Sequence, residues 1–350
     1  MITLVINGRQ IRAAAGQTIL EAARDNGIRI PTLCHDPSLT PFGGCRMCLV
    51  EVAGARGPVA SCTTPATDGM VVETNTERVE ALRRGVLELL LSNHPNDCLT
   101  CEQTGKCGLQ NLAYRYGVRF NTYQGKTRPR LDVDENPFIA RDNEKCILCG
   151  KCVRACAEVI GESAIDFAGR GFDVKISTGT SGLLDSPCEL CGQCVAVCPT
   201  GSLTEKKRAG HGRCFQIEKR VKTTCGYCGT GCTMYLDVAD GRIVGSVGDP
   251  ESPANKGQLC VKGRFGYDYP HHPDRLTNPL IRKDGVLTPA GWDEALDYVA
   301  QRLLAIKAAH GPDSIAAFSS SRATNEDNYV FQKFMRANIG TNNIDNCART

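Results

Sequence analysis

CILCGKCVRAC, residues 146–156, and CELCGQCVAVCP, residues 188–199, decide how this chain is read. Each run sets three cysteines at C-x2-C-x2-C spacing and a fourth after three more residues: Cys146, Cys149, Cys152 and Cys156, then Cys188, Cys191, Cys194 and Cys198. They stand among 21 cysteines in 350 residues. Disulfides belong to oxidising compartments and small scaffolds. This chain is long, has no run of eighteen apolar residues and opens directly on a strand pattern, so it reads as cytoplasmic with no transmembrane segment. Paired cysteines in a reducing compartment point to metal, whereas cysteines serving only as small buried hydrophobes would be scattered. A net charge of +3 gives no case for nucleic-acid binding.

The duplicated spacing is that of two-cluster ferredoxins, in which the fourth cysteine of each run ligates the other cluster. On that pattern Cys146, Cys149, Cys152 and Cys198 hold one [4Fe-4S] cubane, and Cys188, Cys191, Cys194 and Cys156 the other. Pro199 follows the second run as expected, while Ala157 stands where the first would have proline. IDF and FDVKIS in the intervening segment read as strands, and the module is expected over 139–215.

Upstream, residues 2–6 and 9–13 alternate around Asn7-Gly8, a two-residue hairpin signal. Thr18 and Glu21 form a capping box for a short helix ending near Gly27. Cys34, Cys45, Cys48 and Cys62 follow, with Gly43 and Gly44 where backbone must pass close to a cluster. A β-β-α start with one isolated cysteine, a close pair and a distant fourth suggests a ubiquitin-like (β-grasp) [2Fe-2S] ferredoxin over 1–78. Its first gap is longer than the plant-type C-x4-C-x2-C, and a four-cysteine zinc site fits this module taken alone. A helix from about Thr76 to Leu91, with Val79, Leu82, Val86 and Leu90 on one face, then leads to His94, Cys98, Cys101 and Cys107. One histidine with three cysteines suits a [4Fe-4S] cluster or zinc, and spacing alone does not choose. This module is expected over 79–138.

Downstream, Cys225, Cys228, Cys232 and Cys260 make a C-x2-C-x3-C-x27-C set in a small β-rich module, 218–275, with a hairpin turn at Asp240-Gly241. Lys262 lies two residues beyond the last of them. From there the cysteine pattern stops and an α/β pattern begins, 276–350. Thr288 is expected to cap a helix with Pro289 first and Trp292, Leu296, Val299, Leu303 and Ile306 on one face. SIAAFSSS, 314–321, reads as a buried strand, and a second helix runs from about Glu326 to Ala337. A strand, polar loop and helix in that order suit phosphate binding, with the serines and Arg322 as donors. The fold class is therefore α+β multidomain. Five clusters need twenty ligands, which nineteen cysteines and His94 supply; Cys214 and Cys347 are left over.

Residues 1 to about 215 resemble the shared N-terminal part of three families: the large iron–sulfur subunit of respiratory complex I, the iron-only hydrogenases with extra clusters, and the catalytic subunit of cytoplasmic NAD-linked formate dehydrogenases. In all three, HPNDCLTC…GKC is similar to a cubane site with one histidine and three cysteines. CGYCGTGC…GQLCVKGRFGYDY, DGVLTPAGWDEAL and SSSRATNEDNYVFQKFMRANIGTNNIDNCART resemble the start of molybdopterin or tungstopterin formate dehydrogenases. A hydrogenase would continue into its own active-site cysteines, and the complex I subunit has lost the pterin.

The resemblance implies the alpha subunit of a formate dehydrogenase, with one [2Fe-2S], four [4Fe-4S] and a Mo- or W-bis(molybdopterin guanine dinucleotide). It implies Lys262 as a catalytic bridge between pterin and cluster, and Arg322 and Asn325 as cofactor-binding residues. Formate and CO2 would be substrate and product. No G-x-G-x-x-G opens a βαβ unit here, so a flavin- and NAD-binding diaphorase subunit with its own iron–sulfur clusters is implied as partner. In that family CAR-x precedes the cysteine or selenocysteine that ligates the metal. Thr350 occupies x, and the expectation is an in-frame UGA for selenocysteine at codon 351, the 350-residue chain alone having no formate activity. The alternative is an electron-wiring protein like the NADH-quinone oxidoreductase large iron–sulfur subunit, without Mo or W.

Overall fold

The computed structural model describes residues 1–119, 123, 127 and 134–348, in two compact units, residues 1–218 and 219–350. In the first, β1 (Ile2–Ile6) and β2 (Arg9–Ala13) pair antiparallel around Asn7 and Gly8, both at positive φ, as the Asn-Gly pair predicts. Alternation turns Leu4, Ile6, Ile11 and Ala13 inward. Helix α1 (Ile19–Asp25) opens on the expected Thr18–Glu21 capping box and adds Ile19, Leu20, Ala22 and Ala23 to that core. Strands β3 (Leu49–Val52), β4 (Val59–Ala60) and β5 (Val71–Glu73) complete a sheet ordered β2-β1-β5-β3-β4 with β1 and β5 parallel, the expected β-grasp.

Helix α2 (Glu77–Ser92) starts at Thr76 as expected, but its buried residues are Val79, Arg83 and Leu87. Leu82, placed on the core face by periodicity, is 39% exposed, while Val86 and Leu90 pack at the core margin. The cause is tertiary: Arg83 donates to the Leu49 carbonyl at 2.7 Å and to Tyr116 Oη at 3.3 Å, beyond α3 (Gly108–Arg115). An arginine thus holds the inward position that pattern reading reserves for a hydrophobe.

Next come β6 (Ile139–Arg141), α4 (Lys151–Arg154) with a π turn at Ala155–Ile160, β7 (Asp166–Ala168), β8 (Lys175–Ser177), α5 (Gln193–Val197) and β9 (Leu203–Glu205). β6 pairs with β9 and β7 with β8, both antiparallel, so the two cysteine runs lie in one folded-back module.

The second unit opens with an antiparallel sheet, β10 (Lys219–Thr224), β11 (Thr233–Ala239) and β12 (Arg242–Gly248), turning at Asp240-Gly241 as expected. A short α6 (Val261–Phe265) follows. β13 (Leu280–Lys283) and β14 (Val286–Pro289) form a hairpin around Asp284 and Gly285, both at positive φ. Thr288 therefore lies in a strand opposite Ile281 and caps no helix; α7 (Trp292–His310) starts at Gly291. β15 (Ala317–Ser319) runs parallel to β16 (Ile344–Asn346), with α8 (Asn325–Phe334) between them, opened by a Thr324–Asp327 capping box. The strand expected to be buried over 314–321 is only three residues long, with Phe318 86% exposed. The core here is Ala317, Met335 and Ile339, and of the expected α7 stripe only Leu303 packs on it. Thr350 lies outside the described residues. Among those described, no helix is long and apolar enough to cross a membrane.

Candidate iron–sulfur centres

Cys34, Cys45, Cys48 and Cys62 converge beside the β-grasp sheet, all buried. Cys34 N–H lies 3.4 Å from Cys45 Sγ, Cys45 N–H 3.4 Å from Cys34 Sγ, and the Cys48 and Cys62 sulfurs are 3.3 Å apart. Hydrogen bonds from Cys45 and Cys62 hold the Cys34 thiol far below its ordinary range, and one from Cys62 lowers Cys48 to about 6. Those donors, Cys45 and Cys62, are pushed up in turn. Gly43 has a φ of +68°, which favours glycine, and a Cβ on Gly44 would stand 2.5 Å from the Phe42 ring, which would have to move aside.

His94 leaves the end of α2, and Cys107 caps α3, its Sγ accepting Gln110 N–H at 3.5 Å. His94 Nε2 is buried without a hydrogen-bond partner, while Nδ1 faces Asn96 N–H at 3.2 Å. Burial pushes the imidazole pKa down, keeping the ring neutral. Burial pushes the Cys107 thiol up, with smaller contributions from Cys101 and Cys98. Asp97 pairs with Lys145 at 2.9 Å, and Arg213 donates to the Leu99 and Thr100 carbonyls at 3.1 and 3.0 Å.

The two cysteine runs fold alike. Leu148 and Leu190 take positive φ, Gly150 and Gly192 follow in the left-handed region, and α4 and α5 start there. In each loop the leucine N–H points at the first sulfur: Leu148 to Cys146 Sγ at 3.4 Å, Leu190 to Cys188 Sγ at 3.3 Å. Burial raises Cys149 to about 12 and Cys152 still further, and the charge of Cys198 acts on both. Cys188 feels Cys191 and Cys156. Cys198 and Cys194 both act on Cys152, so the two runs meet in one place. Cys146, Cys149, Cys152 and Cys198 line a cavity with Cys194, walled by Ile165, Ile176, Leu183 and Leu203.

In the second unit Cys225 N–H donates to the Cys232 carbonyl at 2.8 Å. Burial raises Cys225 and Cys232; a Thr230 hydroxyl at 3.2 Å lowers Cys228. Cys260 precedes α6, which brings Lys262 close enough for its charge to act on Cys225 and Cys228. Asn325 Nδ2 donates to the Gly229 carbonyl at 2.7 Å, tying α8 to this cysteine loop. Cys347 lies 3.5 Å from the hydroxyls of both Ser320 and Ser321, which lower its thiol to about 7, with a smaller contribution from Arg322.

Among the described residues no three or more His, Cys, Asp or Glu groups form a cage for a single metal ion. The residues fit iron–sulfur clusters: buried and half-buried thiols around a cavity, loop N–H groups aimed at sulfur, and a buried imidazole nitrogen lacking a partner. One hydrophobic core contains Cys34, Cys45, Cys107 and Cys149, cysteines of three groups. Sequence reading missed what joins the groups. Gly108 N–H donates to the Pro199 carbonyl at 2.8 Å, linking the neighbours of Cys107 and Cys198, and Gly201 packs against Cys101.

Five family models match in sequence order: a 2Fe-2S iron-sulfur cluster binding domain over 1–77, the NADH-ubiquinone oxidoreductase-G iron-sulfur binding region over 83–121, the NADH-quinone oxidoreductase subunit 3 ferredoxin-like domain over 136–204, the molybdopterin oxidoreductase Fe4S4 domain over 218–272 and molybdopterin oxidoreductase over 275–350. The NADPH-Fe(3+) oxidoreductase subunit alpha of Geobacter sulfurreducens is 42% identical over 349 residues, covering 100% of this chain and 40% of that protein. The G-type subunit 2 of NADH-quinone oxidoreductase from Rhizobium meliloti is 40% identical, covering 100% of this chain and 40% of its own. A Staphylococcus aureus protein provisionally named a formate dehydrogenase is 33% identical, covering 99% and 39%. The chain thus spans about 40% of the length of these relatives. The crystal structure of NAD+-reducing [NiFe]-hydrogenase in the H2-reduced state contains a chain matching at TM-score 0.56 and 33% identity, covering 60% of this chain and 89% of that one. The chain binds several iron–sulfur clusters and belongs to the iron–sulfur and molybdopterin oxidoreductase family, related both to the G-type subunits of NADH-quinone oxidoreductase and to formate dehydrogenase alpha subunits.

Proposed function

We propose that this chain is the electron-wiring portion of a nicotinamide-linked oxidoreductase, akin to the G-type subunits of NADH-quinone oxidoreductase. One observation carries this over the formate dehydrogenase reading: relatives named for NADPH and NADH are 42% and 40% identical over the whole chain, those named for formate 33%. In this reading a [2Fe-2S] centre is held by Cys34, Cys45, Cys48 and Cys62. Four [4Fe-4S] centres are held by His94, Cys98, Cys101 and Cys107; by Cys146, Cys149, Cys152 and Cys198; by Cys188, Cys191, Cys194 and Cys156; and by Cys225, Cys228, Cys232 and Cys260. A flavin- and NAD-binding subunit with its own clusters is the partner, which the likeness to an NAD+-reducing enzyme supports.

When bound, the clusters would supply one-electron storage. The chain's residues do the rest. Each thiol gives up its proton to ligate, against the burial that raises Cys149 and Cys152. Leu148 and Leu190 N–H groups then stabilise the sulfur charge, and the apolar walls of the cavity exclude water.

A second reading, a formate dehydrogenase alpha subunit with a Mo- or W-bis(molybdopterin guanine dinucleotide), is favoured by Lys262 standing beside Cys225 and Cys228. There Lys262 would face the pterin, with Arg322 and Asn325 as further contacts. The test uses the intact protein with its partner subunits under anaerobic conditions, reading cluster reduction by EPR. NADH or NADPH is expected to reduce the clusters while formate leaves them oxidised, with iron present and no Mo or W. Reduction by formate, with one Mo or W per chain, would put the second reading first.

A further inference from the structure

Arg154 ends α4, two residues after Cys152 and two before Cys156, so a cysteine of each ferredoxin-type group flanks it. Its guanidinium leaves that helix for the loop of the binuclear site. One Nη donates to the carbonyl of Cys34 at 2.6 Å, and the other to the carbonyl of Thr40. The Phe42 ring lies against it, 5.2 Å from the ring centroid. Nε is buried and has no hydrogen-bond partner.

Other charges stand at this seam. Lys151 pairs with Asp36 at 3.0 Å, and Glu158 accepts Thr40 N–H at 2.7 Å. Among the described residues no carboxylate stands within ion-pair distance of Arg154. Apolar groups share the seam: Phe42 stacks on Phe167 at 6.2 Å, and Leu39 packs with Ala155 and Val197. A cation hydrogen-bonded to the backbone of a ligand residue favours whichever state of a neighbouring cluster is more negative. That is the reduced state, and net charge with hydrogen bonding is what tunes such potentials.

We propose that Arg154 is a positioning residue that raises the reduction potential of the centre held by Cys34, Cys45, Cys48 and Cys62 and fixes it against the helix bearing Cys152 and Cys156. The proposal rests on the ligand reading given under Proposed function. The sign is definite: removing the charge lowers the potential.

The experiment is an anaerobic redox titration of the purified, cluster-loaded protein, following the binuclear EPR signal in wild type, Arg154→Gln and Arg154→Lys. Arg154→Gln is expected to keep its iron and acid-labile sulfide. Its reduced-to-oxidised ratio at the wild-type midpoint falls about three- to tenfold, tenfold being 59 mV for a one-electron couple. Arg154→Lys, which keeps the charge, stays within about twofold of wild type. An unchanged midpoint in Arg154→Gln overturns the proposal, as does an equal fall in both variants, which would make bond geometry and not charge the cause. Loss of the binuclear signal from both variants would reduce Arg154 to a structural clamp and also overturn it. A wild-type protein with no binuclear signal would overturn the ligand reading itself, and the proposal with it.

Discussion

A methyl group added at Gly201 would put its carbon 2.5 Å from Cys101 Sγ, closer than side chains approach one another. The glycine is there because two loops of different modules meet at that point. Gly201→Ala is therefore expected to displace Cys101 and cost the protein one cubane, about four irons and four sulfides, while the binuclear EPR signal persists. Full retention of iron would mean that the loop relaxes and the contact is incidental. The same contrast describes what could be read from residues alone. Cysteines advertise themselves by spacing, and His94 by standing four residues before a pair, so the candidate ligands were legible as groups. Gly201, Arg83 and Arg154 were not. Arg154 reaches a carbonyl 120 residues away in the chain, and no local pattern encodes such a partner.

Among the elements, α2 shows where periodicity and packing part. Val79 and Leu87 are fully buried, whereas Leu82, on the stripe that a 3.6-residue period selects, is 39% exposed. Leu87→Ala is expected to destabilise the protein by about 2–5 kcal/mol, against less than about 0.5 kcal/mol for Leu82→Ala, measured by denaturant unfolding. Equal losses would restore the face expected from the pattern. The helix start expected at Thr288 failed for a different reason. Asp284-Gly285 is itself a hairpin signal, and the paired strands on either side of it extend through Pro289, so the chain cannot begin a helix before Gly291. The Asn7-Gly8 and Asp240-Gly241 turns, read by the same rule, stand where expected.

For the molecule as a whole, the β-grasp module, the histidine-containing module and the two-run module fold as one unit because their cysteines share a core. Cys34, Cys45, Cys107 and Cys149 pack together with Leu33, Met47, Leu87 and Leu109. Such a core serves two ends at once, excluding water and drawing the centres together, and it ties the stability of the unit to its metal. The second unit is legible in outline, with a β-rich cysteine module followed by the beginning of an α/β pattern. There α7 has no buried residue, and Trp292 is 67% exposed. The most direct test of the whole account is the iron and acid-labile sulfide content of anaerobically purified protein. The cysteine groups and His94, if they hold one binuclear and four four-iron centres, give about eighteen of each per chain. A pale protein that binds zinc, with no labile sulfide, would contradict it.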